Sequence, residues 1–234
     1  LHTAYRRQRQ MCIRDRDRVV VRVNPAGTAD HDADLAMLAG TGWRTLMLAK
    51  AESAAQVDGV VAALGPQTRV VALCETAAGI LAAADLAAHP HVGALMWGAE
   101  DLVASMGGSS SRTPEGAYRS VVQHARATVL LAAAAHGAAA WDAVHLDLGD
   151  EAGLAAEAED AVALGCIATV CLHPRQVPVV RSAYTPAPEA VERARRVLAA
   201  AEGRHGAFEL DGTMVDEVVL AQARALLRLS LIHI

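Results

Sequence analysis

The chain has 234 residues, 53% of them hydrophobic but only 3% aromatic, with a formal net charge of −5. This length supports one sizeable core, filled by alanine, valine and leucine in place of rings. The acidic balance excludes a broad nucleic-acid-binding surface, and no uninterrupted apolar run reaches the roughly 18 residues that span a bilayer.

The first and last residues stand apart. MCIRDR (Met11–Arg16) is what ATG TGT ATA AGA GAC AGR encodes, and LSLIHI (Leu229–Ile234) is what CTG TCT CTT ATA CAC ATC encodes. These strings are reverse complements over most of their length and resemble a transposase sequencing adapter read in both directions. Residues 1–17 and 229–234 are therefore expected to be adapter-derived, and are kept out of fold reasoning. The competing reading is a basic arm (Arg6, Arg7, Arg9, Arg14, Arg16) that binds nucleic acid. Five arginines against Asp15 and Asp17 give residues 1–17 a charge of +3, so the remainder carries −8 (−5 less +3). An anionic ligand there must be held by local arginines.

Beyond this segment, apolar runs alternate with helix-like stretches. Strands are expected near Val19–Val23, Thr45–Ala49, Arg69–Cys74, Val92–Trp97, Ala139–Val144 and Ile167–Leu172. Helices are expected over Asp30–Ala39, Ser53–Leu64, Thr76–Ala88, Pro114–His136 and Glu151–Leu164. Ser53 and Thr76 read as N-caps, Pro114 as a first-turn residue, and Gly65 and Gly165 as helix stops. Such alternation implies buried parallel strands covered by helices. The fold class is α/β, a (β/α)8 TIM barrel that is N-terminally truncated, with about six of its eight strands present. A six-stranded open sheet is the competitor. After Pro174 the pattern changes to a helix over Pro188–Ala201, the segment FELDGTMVD (Phe208–Asp216) and a helix over Glu217–Arg228. The domain reading is thus a partial barrel over 18–182 and a small C-terminal helical lid over 183–228.

Cys12 falls in the adapter-like segment. Cys74, Cys166 and Cys171 remain, an odd count without a signal peptide, which fits a reduced cytoplasm. Cys166 and Cys171 lack zinc-site spacing and read as small apolar residues.

Chemistry gathers where the runs end. The first closes with Arg22 and Asn24, the third with Glu75, the fourth with Glu100 and Asp101. In a parallel barrel the C-terminal strand ends line the active-site mouth. Two carboxylates and a guanidinium converging there suit a hard divalent cation and an anionic, oxygen-rich substrate. The bland reading of Glu75 and Asp101 is capping or ion pairing, and Glu100 is as readily a salt bridge or cap. The loop GGSSSR (Gly107–Arg112) lacks the phosphate-cradle spacing G-x-x-x-x-G-K-[ST] and reads as a flexible rim.

Seven segments in order resemble the HpcH/HpaI aldolase and citrate lyase β-subunit family, in its CoA-ester lyase branch. They are VRVNP (Val21–Pro25), LAKAES (Leu48–Ser53), CETAAGI (Cys74–Ile80), WGAEDL (Trp97–Leu102), SRTPEG (Ser111–Gly116), CLHPRQVPVV (Cys171–Val180) and DGTMVDE (Asp211–Glu217). The resemblance implies Mg²⁺, with Mn²⁺ as a substitute, held by Glu75 and Asp101. It implies that Arg22 faces a substrate oxygen on which negative charge develops. Asp216 matches a mobile carboxylate that serves as acid or base in a neighbouring subunit's active site; its bland reading is a helix N-cap. Lys50 matches a family lysine and is a candidate for substrate binding, although Ala49 stands where many relatives have proline. His173 and Arg175 are candidates for acyl-CoA binding, with Arg175 toward a phosphate, and a purely structural His173 is the alternative. Asp211 reads as turn chemistry beside Gly212.

The implied activity is Mg²⁺-dependent carbon–carbon bond cleavage of a β-hydroxyacyl-CoA, of the malyl-CoA or citramalyl-CoA type, to acetyl-CoA and a 2-oxo acid. CoA enters as part of the substrate, and the expected partners are copies of this chain in a lid-exchanging trimer, without nucleic acid or membrane. The alternatives are a citrate lyase β subunit acting on a carrier-bound citryl thioester, a free-standing aldolase for CoA-free acids, and an inactive scaffolding subunit. One departure stands out: no acidic DLED-type motif precedes Arg22, and HLDLGDEAG (His145–Gly153), after the fifth strand, cannot replace it. A barrel short of two units exposes strand edges, so this chain itself is expected to fold poorly and to lack the whole enzyme's activity.

Overall fold

Strand and helix alternate from the first residues of the computed structural model, which describes residues 19–204 and 206–232, the side chain of 232 excepted. The adapter-like residues 1–17 lie outside the described residues, as do 233 and 234. Contacts divide the chain into two units, one ending at Val144 and one beginning at His145. The expected boundary at 182/183 falls inside the helix Gln176–Tyr184.

The first unit runs β1 (Val21–Val23), α1 (Ala29–Leu38), β2 (Thr45–Leu48), α2 (Ala54–Leu64), β3 (Arg69–Cys74), α3 (Ala77–Leu81), α4 (Ala83–Ala87), β4 (Val92–Trp97), α5 (Ala99–Ser105), α6 (Ser120–His136) and β5 (Ala139–Asp142). Its five strands are all parallel and lie side by side in chain order. On β3, Val70, Ala72 and Cys74 face one way, Val71 and Leu73 the other, and all five are buried. That is why the run is continuously apolar and not alternating. Arg22 pairs with Met47, Leu48 with Ala72 and Cys74 with Trp97. The ends of β3 and β4 are therefore level, and the residues that follow them, Glu75 and Gly98, emerge together.

Small side chains let the layers approach closely. On α6 the buried positions are Val122, Ala125, Val129, Ala132 and Ala133, one stripe of a 3.6-residue period. Parallel strands in chain order, each followed by helix, make the βα succession of a TIM-barrel-like α/β fold; six of its strands lie among the described residues, the sixth in the second unit.

Two expected helices differ. The stretch Thr76–Ala88 forms α3 and α4, separated at Ala82 (φ −89°, ψ 3°), a break that its alanines do not announce. The helix expected from Pro114 begins at Ser120. Gly116, in the left-handed region at φ 89°, stops any helix from starting at Pro114, and Arg112 bridges back to Tyr118. Thr76 caps α3 as expected, its Oγ accepting from the Gly79 N–H at 3.1 Å, whereas the Ser53 side chain makes no cap bond.

Gly79 is fixed by its surroundings. A Cβ there would lie 2.5 Å from the Ala51 carbonyl oxygen, a backbone atom that cannot step aside. Glycine to alanine inside a helix ordinarily stabilises; here the clash reverses the sign. Gly79→Ala is expected to lower Tm by about 3 to 10 °C in a thermal melt.

The second unit holds α7 (Glu151–Ala163), β6 (Ala168–Thr169), α8 (Gln176–Tyr184), α9 (Pro188–Ala201), β7 (Phe208–Leu210), β8 (Thr213–Val215) and α10 (Glu217–Ile232). β6 is shorter than the expected Ile167–Leu172, and Ile167 and Leu172, its expected apolar ends, are both exposed. Leu154 and Ala158 of α7 meet Val180 and Tyr184 of α8 in one apolar cluster, and Ala194, Val197, Val215 and Ala223 form another. β7 and β8 are an antiparallel hairpin turned by Asp211 (φ 52°) and Gly212 (φ 73°), the two left-handed residues a tight primed turn demands. The last helix runs beyond the expected Arg228 to Ile232. Among the described residues no helix is long and apolar enough to cross a membrane.

Candidate active site

Four predicted residues meet at the strand ends of the first unit. Arg22 lies on β1, Lys50 just after β2, Glu75 just after β3, and Asp101 in the first turn of α5, which follows β4. The Arg22 Nη2 is 3.5 Å from the Glu75 Oε1, and the Lys50 Nζ is 2.9 Å from the Asp101 Oδ1. The Lys50 backbone N–H also donates to the Glu75 Oε1 at 3.2 Å. It does so from a left-handed conformation, φ 49°, that a lysine seldom adopts. Strain of this kind collects at functional sites.

The neighbours of Lys50 hold that conformation. Ala49 and Ala51 are buried, and the Ala51 N–H donates to the Leu73 carbonyl at 3.0 Å. The Thr76 hydroxyl donates to the Glu52 carboxylate at 2.6 Å, tying the segment after β2 to the one after β3. Gly98 makes room on the other side, since a Cβ there would sit 2.9 Å from the Glu75 Cβ and 3.2 Å from its Oε2.

Glu75 is nearly out of solvent, with its side chain 6% exposed, whereas Arg22 is 60% exposed. Burial pushes the Glu75 carboxyl above the usual carboxylate range, and the charge of Asp101 adds to that; Arg22 and Lys50 oppose it. Lys50 is raised, chiefly by its hydrogen bond to Asp101. The adjacent Cys74 thiol is pushed up to about 12, first by burial and then by the Glu75 charge, so it stays protonated and unreactive at neutral pH.

This donor set fits a hard divalent cation. Glu75 and Asp101 offer only oxygen, their mutual repulsion would be relieved by positive charge, and the Gly98 gap keeps the Glu75 carboxylate unobstructed. Among the described residues no third His, Cys, Asp or Glu joins them in a metal-binding group. Water and substrate would complete the shell, as is usual around Mg²⁺.

A buried network braces the β4 end of this site. Asp142, at the end of β5, accepts from the Trp97 indole N–H at 2.6 Å. It also accepts a two-pronged bond from Arg126 of α6, at 3.0 and 2.9 Å. Trp97 packs edge-on against Tyr118 at 5.4 Å, and the Arg112 guanidinium covers that ring at 3.8 Å. Glu100 accepts from the Ser111 hydroxyl at 2.6 Å. It thus fastens the Gly107–Arg112 loop while its neighbour Asp101 turns to Lys50. Sequence reasoning passed over Asp142 and Arg126; the available signal was an acid inside an apolar strand, which must be paired to be buried.

The profile of the HpcH/HpaI aldolase/citrate lyase family matches residues 4–174. The chain belongs to this family. The matched span begins inside the adapter-like stretch and so does not separate that stretch from the rest. The family is one of lyases. A citrate lyase subunit beta-like protein of Mycobacterium tuberculosis is 55% identical over 214 residues, 92% of this chain and 77% of the relative. A (3S)-malyl-CoA thioesterase of Cereibacter sphaeroides is 35% identical over 209 residues, 88% of this chain and 71% of the relative. Among solved structures, protein CitE from Mycobacterium tuberculosis in complex with magnesium, acetoacetate and coenzyme A has a TM-score of 0.82 at 53% identity, covering 92% of this chain and 79% of that one.

The other predicted residues of this HpcH/HpaI member lie in the second unit. His173 and Arg175 occupy the turn between β6 and α8, where the Arg175 N–H donates to the His173 Nδ1 at 3.2 Å. Gln176 gathers this turn, its side-chain oxygen accepting from the Leu172 and His173 N–H groups and its amide donating to the His145 carbonyl. Asp216 precedes α10, and its Oδ1 accepts from the Val219 N–H at 3.1 Å. That is an N-cap bond, and it leaves the proposed proton-transfer role to be argued on other grounds.

Proposed function

We propose that the protein is a Mg²⁺-dependent carbon–carbon lyase that cleaves a β-hydroxyacyl-CoA of the malyl-CoA or citramalyl-CoA type to acetyl-CoA and a 2-oxo acid. The observation that carries this reading is the convergence of Arg22, Lys50, Glu75 and Asp101 at the strand ends. Support comes from the magnesium, acetoacetate and coenzyme A named with the similar CitE structure, and from the malyl-CoA thioesterase relative.

Glu75 and Asp101 would hold the cation, which when bound polarises the substrate's oxygens as a Lewis acid. Arg22, with its guanidinium mostly in solvent and anchored by Glu75, presents fixed donors to an oxygen that gains charge as the bond breaks. In that step the substrate hydroxyl loses its proton and becomes the oxo group. The bonding electrons pass to the acetyl thioester as its enolate, and a proton delivered to carbon completes acetyl-CoA. Asp216, brought from a neighbouring subunit's lid in a trimer, is the proposed acid or base for this transfer. His173 and Arg175 are proposed to hold CoA. The proposed setting is the cytoplasm; Cys74, Cys166 and Cys171 are all free thiols.

A second reading, the β subunit of a citrate lyase with a carrier-bound citryl thioester, is favoured by the 55% identity to the citrate lyase subunit beta-like protein. The deciding experiment follows acetyl-CoA release from malyl-CoA and from citramalyl-CoA, with Mg²⁺ or with EDTA. Release from either ester that EDTA abolishes is the expected result. A folded, Mg²⁺-binding protein that cleaves neither ester overturns the free-CoA reading in favour of the carrier-bound one.

A further inference from the structure

Lys50 is doubly attached at the site, and its two attachments differ in kind. Its backbone is fixed: it lies between the buried Ala49 and Ala51, and its N–H donates to Glu75. Its ammonium is 2.9 Å from Asp101, in a pair whose side chains are 41% and 45% exposed. The head can therefore move into water at little cost, whereas the backbone cannot move without breaking the bonds to Glu75 and Leu73. Two carboxylates near one another repel, and in the absence of other positive charge the Lys50 ammonium and the Arg22 guanidinium are what offset them. A cation ligated by Asp101 needs oxygen lone pairs toward which the Lys50 ammonium is directed.

We propose that Lys50 is a cationic placeholder: its ammonium keeps Asp101 in place beside Glu75 until a divalent cation arrives, and then gives up Asp101 to it. The inference rests on the reading of Glu75 and Asp101 as the cation's ligands. Binding is on this view an exchange of one positive group for another at a site whose shape is already set by the Lys50 backbone. Cation affinity is lowered by the competition, and the carboxylates are kept from splaying apart in the meantime.

The test is calorimetric titration of the full chain with MgCl₂. Lys50→Met removes the ammonium and keeps the stem; Lys50→Gly removes the whole side chain at a backbone angle that glycine adopts freely. Both are expected to bind Mg²⁺ about three- to tenfold more tightly than the native chain, the scale of a half-exposed ion pair. Lys50→Arg, which keeps the charge, is expected to bind equally or less tightly. Without metal, Lys50→Met should melt lower than the native chain and gain more in Tm on adding Mg²⁺. A merely structural or ligand-orienting lysine predicts the opposite sign, so unchanged or weaker binding by both Lys50→Met and Lys50→Gly overturns the proposal. Asp101→Asn serves as the reference. Native-like Mg²⁺ affinity in that variant overturns the ligand assignment itself, whereas lost affinity there with no tightening in the Lys50 variants overturns the placeholder alone.

Discussion

Glu75→Ala is expected to reduce Mg²⁺-dependent acetyl-CoA release by more than about a thousandfold. Removing a single preorganised donor to developing charge costs on the order of a hundred- to a thousandfold, and Glu75 does more than one task. It is one of the two carboxylates proposed to hold the cation, and it is the anchor at 3.5 Å for Arg22 and the acceptor at 3.2 Å for the Lys50 backbone. Its loss removes a proposed ligand and loosens the Arg22 and Lys50 anchorage together. The fold should survive, because a buried carboxylate whose own environment disfavours its charge contributes little to stability. The check is a thioester-release assay beside a thermal melt. Lost activity with an unchanged melt is the expected pair of results; retained activity removes Glu75 from the site. Arg22→Met tests the guanidinium separately and should lower kcat by about a hundredfold or more while leaving Mg²⁺ binding in place.

Arg126→Met is expected to destabilise the protein by about 3 to 5 kcal/mol, the cost of leaving a buried charge without its partner. Asp142 is only 4% exposed, and it accepts two hydrogen bonds from Arg126 beside the one from Trp97. Urea unfolding measures the loss. The double variant Arg126→Met with Asp142→Leu should recover most of it, since the Asp142 charge is no longer stranded, but should not recover full activity. Trp97 then loses its hydrogen bond, and Trp97 ends the strand that leads into Gly98, Glu100 and Asp101. If the double variant stays as unstable as the single one, the network is held by packing and not by charge pairing.

Much of this was legible in residues 69–102. The runs Arg69–Cys74 and Val92–Trp97 appear as strands with the expected bounds, because a strand buried on both faces is written as an unbroken apolar run. The polar residues closing those runs, together with Arg22 and Lys50, form the cluster, since a parallel sheet in register brings equivalent ends together. What stayed hidden depends on contacts distant in sequence. Asp142 and Arg126 lie 16 residues apart, and Asp142 meets Trp97 from 45 residues away. The division of Thr76–Ala88 into two helices runs through alanine-rich sequence that favours helix throughout. Pro114 reads as a helix start until Gly116, two residues on, takes a left-handed angle. The Lys50 ammonium bonded to Asp101 was also not foreseen, because proximity in a family pattern does not reveal which side chain satisfies which.

The stripe of methyl-sized residues along α6 bears on how this lyase tolerates change. Where Ala125, Ala132 and Ala133 are buried, a single methyl is the whole spacer between helix and neighbouring layer. Long side chains can re-rotate to absorb a drifting neighbour, but alanine has no rotamer to give. A substitution beneath the sheet is therefore passed on as backbone displacement, and it reaches the strand ends undamped. Inherited variation should collect instead in the loop Gly107–Arg112, so that substrate preference can diverge among relatives while the walls behind the site stay small.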